Sequence, residues 1–140
     1  MHSRPIVIDA NILVRSVLGE RVRNIIIEHH LTVEFFIPDI CVSDARKYLP
    51  MLFEKRKLRS EIAIEVLDNI LKLLTIVDID LYEQHQSEAE ERMKNRDIDD
   101  WPIVATALTL DCPIWTEDKD FFGSGISTWT TDRIHLFLEK

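Results

Sequence analysis

The sequence has 140 residues, enough for one domain with a full hydrophobic core. Its 46% hydrophobic and 30% charged residues are those of an ordinary globular chain, and no apolar run reaches the roughly 18 to 20 residues of a membrane span. A formal net charge of −8 argues against a broad basic face for gripping phosphates, so an affinity for nucleic acid would need a local basic patch or bound divalent cations.

The opening residues MHSRPIVIDAN enter a strand almost at once and show no apolar signal-peptide region. Cys41 and Cys112 lie far apart with no CxxC, which fits a reducing, cytoplasmic setting and two buried small apolar side chains. The histidines, His2, His29, His30, His85 and His135, have no metal-ligand spacing with the cysteines.

Taken in order, residues 6–8 (Ile-Val-Ile) form a fully apolar β-branched run ending at Asp9, the pattern of a buried parallel strand. Ile12, Leu13, Val14, Val17 and Leu18 then recur at helical spacing up to Gly19. Asp9 or Asn11 would serve as an N-cap there, so a first-strand aspartate is suggestive without being specific. A short helix is expected over residues 21–30 and a second strand over 33–38. A loop at 39–42 leads to Ser43 as N-cap, with Asp44 in the first helical turn, where it would also favour the helix dipole. Pro50 should bend or split that helix.

Lys55, Arg56, Lys57 and Arg59 are the one dense basic run, read as a solvated helix end or a phosphate patch. Ser60 is expected to cap the next helix, residues 75–79 to form strand three, and residues 81–96 a largely exposed helix with apolar positions at Leu81, Tyr82, Ala89 and Met93. The stretch from 96 to 122 organises the rest. Asp97, Asp99 and Asp100 precede a helix whose start, at about Asp99 or Asp100, is fixed by Pro102. Asp111 stops it, residues 113–116 read as strand four, and Glu117-Asp118-Lys119-Asp120 stands directly behind. Residues 123–125 make a loop, 126–129 a short edge strand, and Thr130 or Thr131 a cap for a last helix. Alternating strands and helices predict one domain, residues 1–140, built as an α/β/α sandwich over a parallel sheet of about five strands.

In such a sheet, strand C-termini and the helix N-termini that follow them share one edge. Asp9, Asp44 and Asp118 all fall there, while the rule leaves Asp100 unplaced. Clustered carboxylates repel one another unless protonated or paired with cations, and no lysine or arginine stands at matching positions. A hard cation with oxygen ligands, Mg²⁺ or Mn²⁺, is the natural partner.

Three motifs, Ile8-Asp9-Ala10-Asn11, the helix with Asp100 and Ala105-Thr106-Ala107, and Trp115-Thr116-Glu117-Asp118-Lys119-Asp120-Phe121, make the whole chain resemble a PIN domain. That nuclease fold includes the VapC-type toxins of bacterial toxin–antitoxin pairs. The resemblance brings Asp100 to the other acids and implies a catalytic set of Asp9, Asp44, Asp100 and Asp118. Asp9, Asp100 and Asp118 would be metal ligands, Asn11 and Thr116 supporting residues, and Asp97, Asp99 and Asp120 their surroundings. It further implies cleavage of single-stranded RNA with Mg²⁺ or Mn²⁺, an antitoxin partner and a homodimer. One departure is Asp44, where the family usually has glutamate. The mechanism implied is metal-assisted phosphodiester hydrolysis, with no histidine or serine nucleophile.

Two other readings compete. A haloacid-dehalogenase-type phosphatase also begins with a strand-end aspartate but needs a second aspartate two residues on, where this chain has Asn11. A PIN domain without catalysis would be a binding module, against which the full acid set argues.

Overall fold

Five short strands make one parallel sheet in the computed structural model, which describes residues 3–139; His2 lies outside them. The chain runs β1 (Arg4–Ile8), α1 (Ala10–Leu18), α2 (Glu20–His29), β2 (Val33–Pro38), α3 (Asp39–Lys55), α4 (Ser60–Leu71) and β3 (Thr75–Val77). It continues through α5 (Ile79–Tyr82), α6 (Gln86–Met93), α7 (Trp101–Leu110), β4 (Ile114–Trp115), β5 (Thr128–Trp129) and α8 (Ile134–Leu138). Single 3-10 turns stand at Glu83–His85, Ile98–Asp100 and Lys119–Phe121.

The strand order is β3-β2-β1-β4-β5, with every pair parallel. Val7 pairs with Phe36 on one side and Ile114 on the other, so β1 is central. From β1 the chain steps outward to β2 and β3, then returns to place β4 on β1's free side. The order therefore reverses between β1 and β4, and parallel sheets open a crevice beyond their strand C-termini at such a point. Because crossovers between parallel strands are right-handed, the helices before and after this reversal lie on opposite faces. α1 to α4 pack on one another, while α7 packs across β1, β2 and β4 with α5 and α6 beside it. Ile6, Val7 and Ile8 are consecutive and all fully buried, which only a sheet covered on both faces permits. This is the expected three-layer sandwich.

The core is continuous from Ile6 to Leu138. Trp115, wholly buried, tilts against Phe35 with ring centroids 6.0 Å apart, and its indole N–H donates to Thr131 Oγ1 at 3.1 Å. Cys41 and Cys112 are buried free thiols, as their isolated positions suggested.

Several local expectations are corrected. The helix after β2 starts at Asp39 without an intervening loop, so Asp44 sits in its second turn and Ser43 caps nothing. Asp39 explains the early start: its carboxylate accepts from Ile40 N at 2.8 Å, Ile79 N at 3.0 Å and the Tyr82 hydroxyl at 2.6 Å, tying α3 to α5. Pro50 lies inside α3 without splitting it. Ser60 makes no side-chain cap for α4. Strand three stops at Val77 because Asp78 accepts from Asp80 N at 2.9 Å and opens α5. The polar segment that follows is broken by the turn at Glu83–His85; it buries Tyr82, Ala89 and Met93 but leaves Leu81 exposed. At α8 the Thr130 carbonyl, with no threonine hydroxyl involved, accepts from Ile134 N at 2.8 Å.

Candidate active site

Asp9 leaves β1 in extended backbone and caps α1, its Oδ1 accepting from Ile12 N at 2.8 Å. The bland capping role is thus real, but it occupies only one oxygen. Oδ2 accepts from the Thr116 hydroxyl, at the end of the neighbouring strand β4. Thr116 Oγ1 in turn accepts from Asp118 N at 2.9 Å, and Asp118 Oδ1 accepts from Asp120 N at 2.9 Å. A relay of side-chain-to-backbone bonds therefore fixes the loop after β4 to the end of β1 across the switch point.

The second acidic segment comes from the opposite layer. Asp97 accepts from Asp99 N at 3.1 Å and opens the 3-10 turn that carries Asp100 to the mouth of α7, with Pro102 in the first turn of that helix. Asp100 is half-buried, and its carboxylate accepts no hydrogen bond among the described residues.

These segments and α3 enclose a cavity of about 270 Å³. Asp9, Asn11, Asp44, Asp97, Asp99, Asp100 and Asp118 line it, together with Cys41 and Phe121, and among the described residues no lysine, arginine or histidine does. Two expected residues lie outside that lining. Thr116 is fully buried behind Asp9, and Asp120 approaches from the side, where one carboxylate oxygen each from Asp97, Asp100 and Asp120 converge within 4.8 Å. Asp100 thus belongs to two groupings, one with Asp9 and Asp118 around the cavity and one with Asp97 and Asp120.

The electrostatics follow from this crowding. Burial pushes the Asp9 carboxyl up to about 6, against the hydrogen bonds from Thr116 and Ile12, and Asp118 and Glu117 add to the rise. Burial also drives Asp100 up to about 7, reinforced by Asp97, Asp118, Asp9 and Asp120. Cys41 faces the same acids: burial first, then Asp9, Asp44 and Asp100, hold its thiol far above the usual range. No soft thiolate is on offer, and the donors that remain are carboxylate oxygens. Such a set fits a hard divalent ion such as Mg²⁺ or Mn²⁺ and does not fit the nitrogen and sulfur sites preferred by zinc.

Sequence reasoning had not marked Cys41, Ile40 and Phe121 as cavity walls, since apolar neighbours of a site carry no chemical signal of their own. It also set Asp97 and Asp120 among the surroundings. The Asp-x-Asp spacing at 97–99 and 118–120 is a signal that each segment turns on itself through an aspartate.

Fold and site together define an α/β protein with an acidic centre at the switch point of its sheet. The chain belongs to the PIN domain family, whose profile matches residues 7–139. Among solved structures it is similar to VapBC2 from Rickettsia felis bound to a DNA fragment from their promoter, at 14% identity and TM-score 0.71, covering 90% of this chain and 98% of that one. It is similar to FitAcB from Neisseria gonorrhoeae at 22% identity and TM-score 0.70, covering 90% and 97%. PAE2754 from Pyrobaculum aerophilum matches at 13% identity and TM-score 0.73, covering 97% and 90%. At these identities the likeness establishes the fold. No curated protein sequence matches the chain.

Proposed function

We propose that the chain, residues 1–140 acting as one domain, is a Mg²⁺- or Mn²⁺-dependent endoribonuclease that hydrolyses phosphodiester bonds of single-stranded RNA. The observation that carries this reading is the cavity itself: six aspartates line it, without one basic side chain among the described residues. Carboxylates crowded in this way repel one another at neutral pH, and a bound cation relieves that repulsion, which supports a metal site here.

Asp9, Asp100 and Asp118 are the proposed ligands, with Asp97 and Asp120 offering a second place beside Asp100. When bound, the ion supplies Lewis-acid stabilisation of the phosphoryl oxygens and an acidified water as nucleophile. The protein's part is positioning. Asp9 is locked by Ile12 N and Thr116, and Asp118 is held by the Thr116 hydroxyl at its backbone and by Asp120 N at its side chain. The Asp100 carboxylate, which accepts no hydrogen bond among the described residues, keeps its oxygens for ligation. Asp44 adds charge from α3, one methylene shorter than the glutamate usual in the family, and Asn11 lines the rim with an uncharged amide.

The likeness to VapBC2 and FitAcB supports an antitoxin as protein partner, and with it the role of toxin in a cytoplasmic toxin–antitoxin pair. A homodimer is part of the same proposal. Among the described residues no helix is long and apolar enough to cross a membrane.

Incubating the purified protein with single-stranded RNA, duplex RNA and single-stranded DNA, with Mn²⁺ or with excess EDTA, tests the reading. Cleavage of the single-stranded RNA with Mn²⁺ alone is expected; equal cleavage in EDTA contradicts it.

A further inference from the structure

Beside the acidic cavity, α1 and α3 leave a second hollow of about 240 Å³, lined by Ala10, Asn11, Val14, Asp44, Ala45 and Tyr48. Ala10, Asn11 and Asp44 line the acidic cavity too, so the two are one depression with an ionic half and an apolar half. Tyr48 lies one helical turn beyond Asp44 on α3 and is 50% exposed. Its hydroxyl makes no hydrogen bond, and its ring stacks on no other aromatic, among the described residues. The fold makes little use of this ring.

We propose that the hollow is a nucleobase subsite, in which the base next to the scissile phosphate stacks on Tyr48. The inference rests on the nuclease reading and deepens it. A polymeric substrate whose phosphate is bound among the aspartates must set the adjoining nucleosides on the flanks of that cavity. One flank is the turn of Asp97 and Asp99, both exposed, whose charges repel the phosphate backbone; its one apolar side chain, Ile98, stands between them and forms no hollow. The other is the hollow, where Val14, Ala45 and Tyr48 supply apolar contact and Asn11, at the shared rim, presents both a donor and an acceptor to a base edge. Stacking on an aromatic ring tolerates any base and is a recurrent way of holding a single strand.

The test compares wild type, Tyr48→Ala and Tyr48→Phe on a single-stranded RNA whose cleavage point has been mapped. Each is also tried on versions of that RNA made abasic at the nucleotide before or after the cut. Tyr48→Ala should raise KM about tenfold, within the range for one stacked base, with kcat unchanged, while Tyr48→Phe keeps the wild-type KM. One of the abasic substrates should cost the wild type the same factor and cost Tyr48→Ala nothing further. A wild-type KM in Tyr48→Ala, or an abasic penalty equal in both proteins, overturns the subsite. So does a Tyr48→Ala protein that sediments as a smaller species than the wild type, with KM rising only to match, because the hollow is then an interface between copies. A wild type that cuts no RNA overturns the nuclease reading and this inference with it; a wild type that cuts, beside a silent Tyr48→Ala, overturns this inference alone.

Discussion

Replacing Asp9 by asparagine should make the metal-free protein more stable while destroying its activity. Asp9 is 3% exposed, and its carboxyl is raised from 3.8 to about 6. Because the folded-state value lies above the unfolded one, protonated Asp9 favours the native state below about pH 3.8, and that contribution is lost as pH rises through about 6. At pH 7.5 the loss amounts to about 3 kcal/mol, at 1.36 kcal/mol per tenfold change in proton affinity. Asparagine keeps an oxygen for Ile12 N but turns an NH₂ toward Thr116, whose hydroxyl already accepts from Asp118 N. The mismatch gives back about 1 kcal/mol. A net gain of about 2 kcal/mol raises Tm by roughly 6 °C in a chain of this size. Calorimetric melting of both proteins in EDTA should show that gain at pH 7.5 and none at pH 4, where Asp9 is neutral in the wild type. Millimolar Mn²⁺ should then raise the wild-type Tm and leave the variant's almost unmoved. An asparagine variant no more stable than wild type at pH 7.5, or equally stabilised at pH 4, would refute the argument from buried charge.

Two further predictions separate chemistry from scaffolding. Asp118→Asn retains the oxygen that accepts from Asp120 N, so its Tm should stay within a few degrees of wild type, whereas RNA cleavage should fall by about a hundredfold or more; near-normal turnover would remove Asp118 from the ligand set. Gly125 has φ +89°, and a Cβ there would collide with the Arg92 guanidinium, which donates to Ser124 O at 2.8 Å. Gly125→Ala should therefore cost about 1–3 kcal/mol in urea unfolding, and a variant as stable as wild type would mean the loop repacks freely.

The sheet was legible because its strands are short apolar runs, each ending at a polar or turn residue. Residues 33–38 are a strand in both sequence and structure, and residues 6–8 form the buried core of β1. The α/β alternation and the shared edge of strand ends then brought Asp9, Asp44 and Asp118 together. Less legible were features set by contacts distant in sequence. Asp39 starts α3 early because Tyr82 and Ile79, some forty residues away, bond to its carboxylate, and no local pattern records that. Asp100 could be placed only by resemblance, since an element packed on the far face delivers it to the sheet edge. The convergence of Asp120 with Asp97 and Asp100 depends on two separate turns meeting in space, which spacing along the chain does not encode.

Titrating Mn²⁺ into EDTA-treated protein while following cleavage of a single-stranded RNA, with wild type and Asp100→Asn side by side, tests the central claim most directly. Asp100 belongs to both carboxylate groupings, so wild-type cleavage should show a saturable, Mn²⁺-driven rise and the folded Asp100→Asn protein none. Wild-type cleavage that ignores Mn²⁺, or an Asp100→Asn protein that responds to it as the wild type does, would contradict that claim.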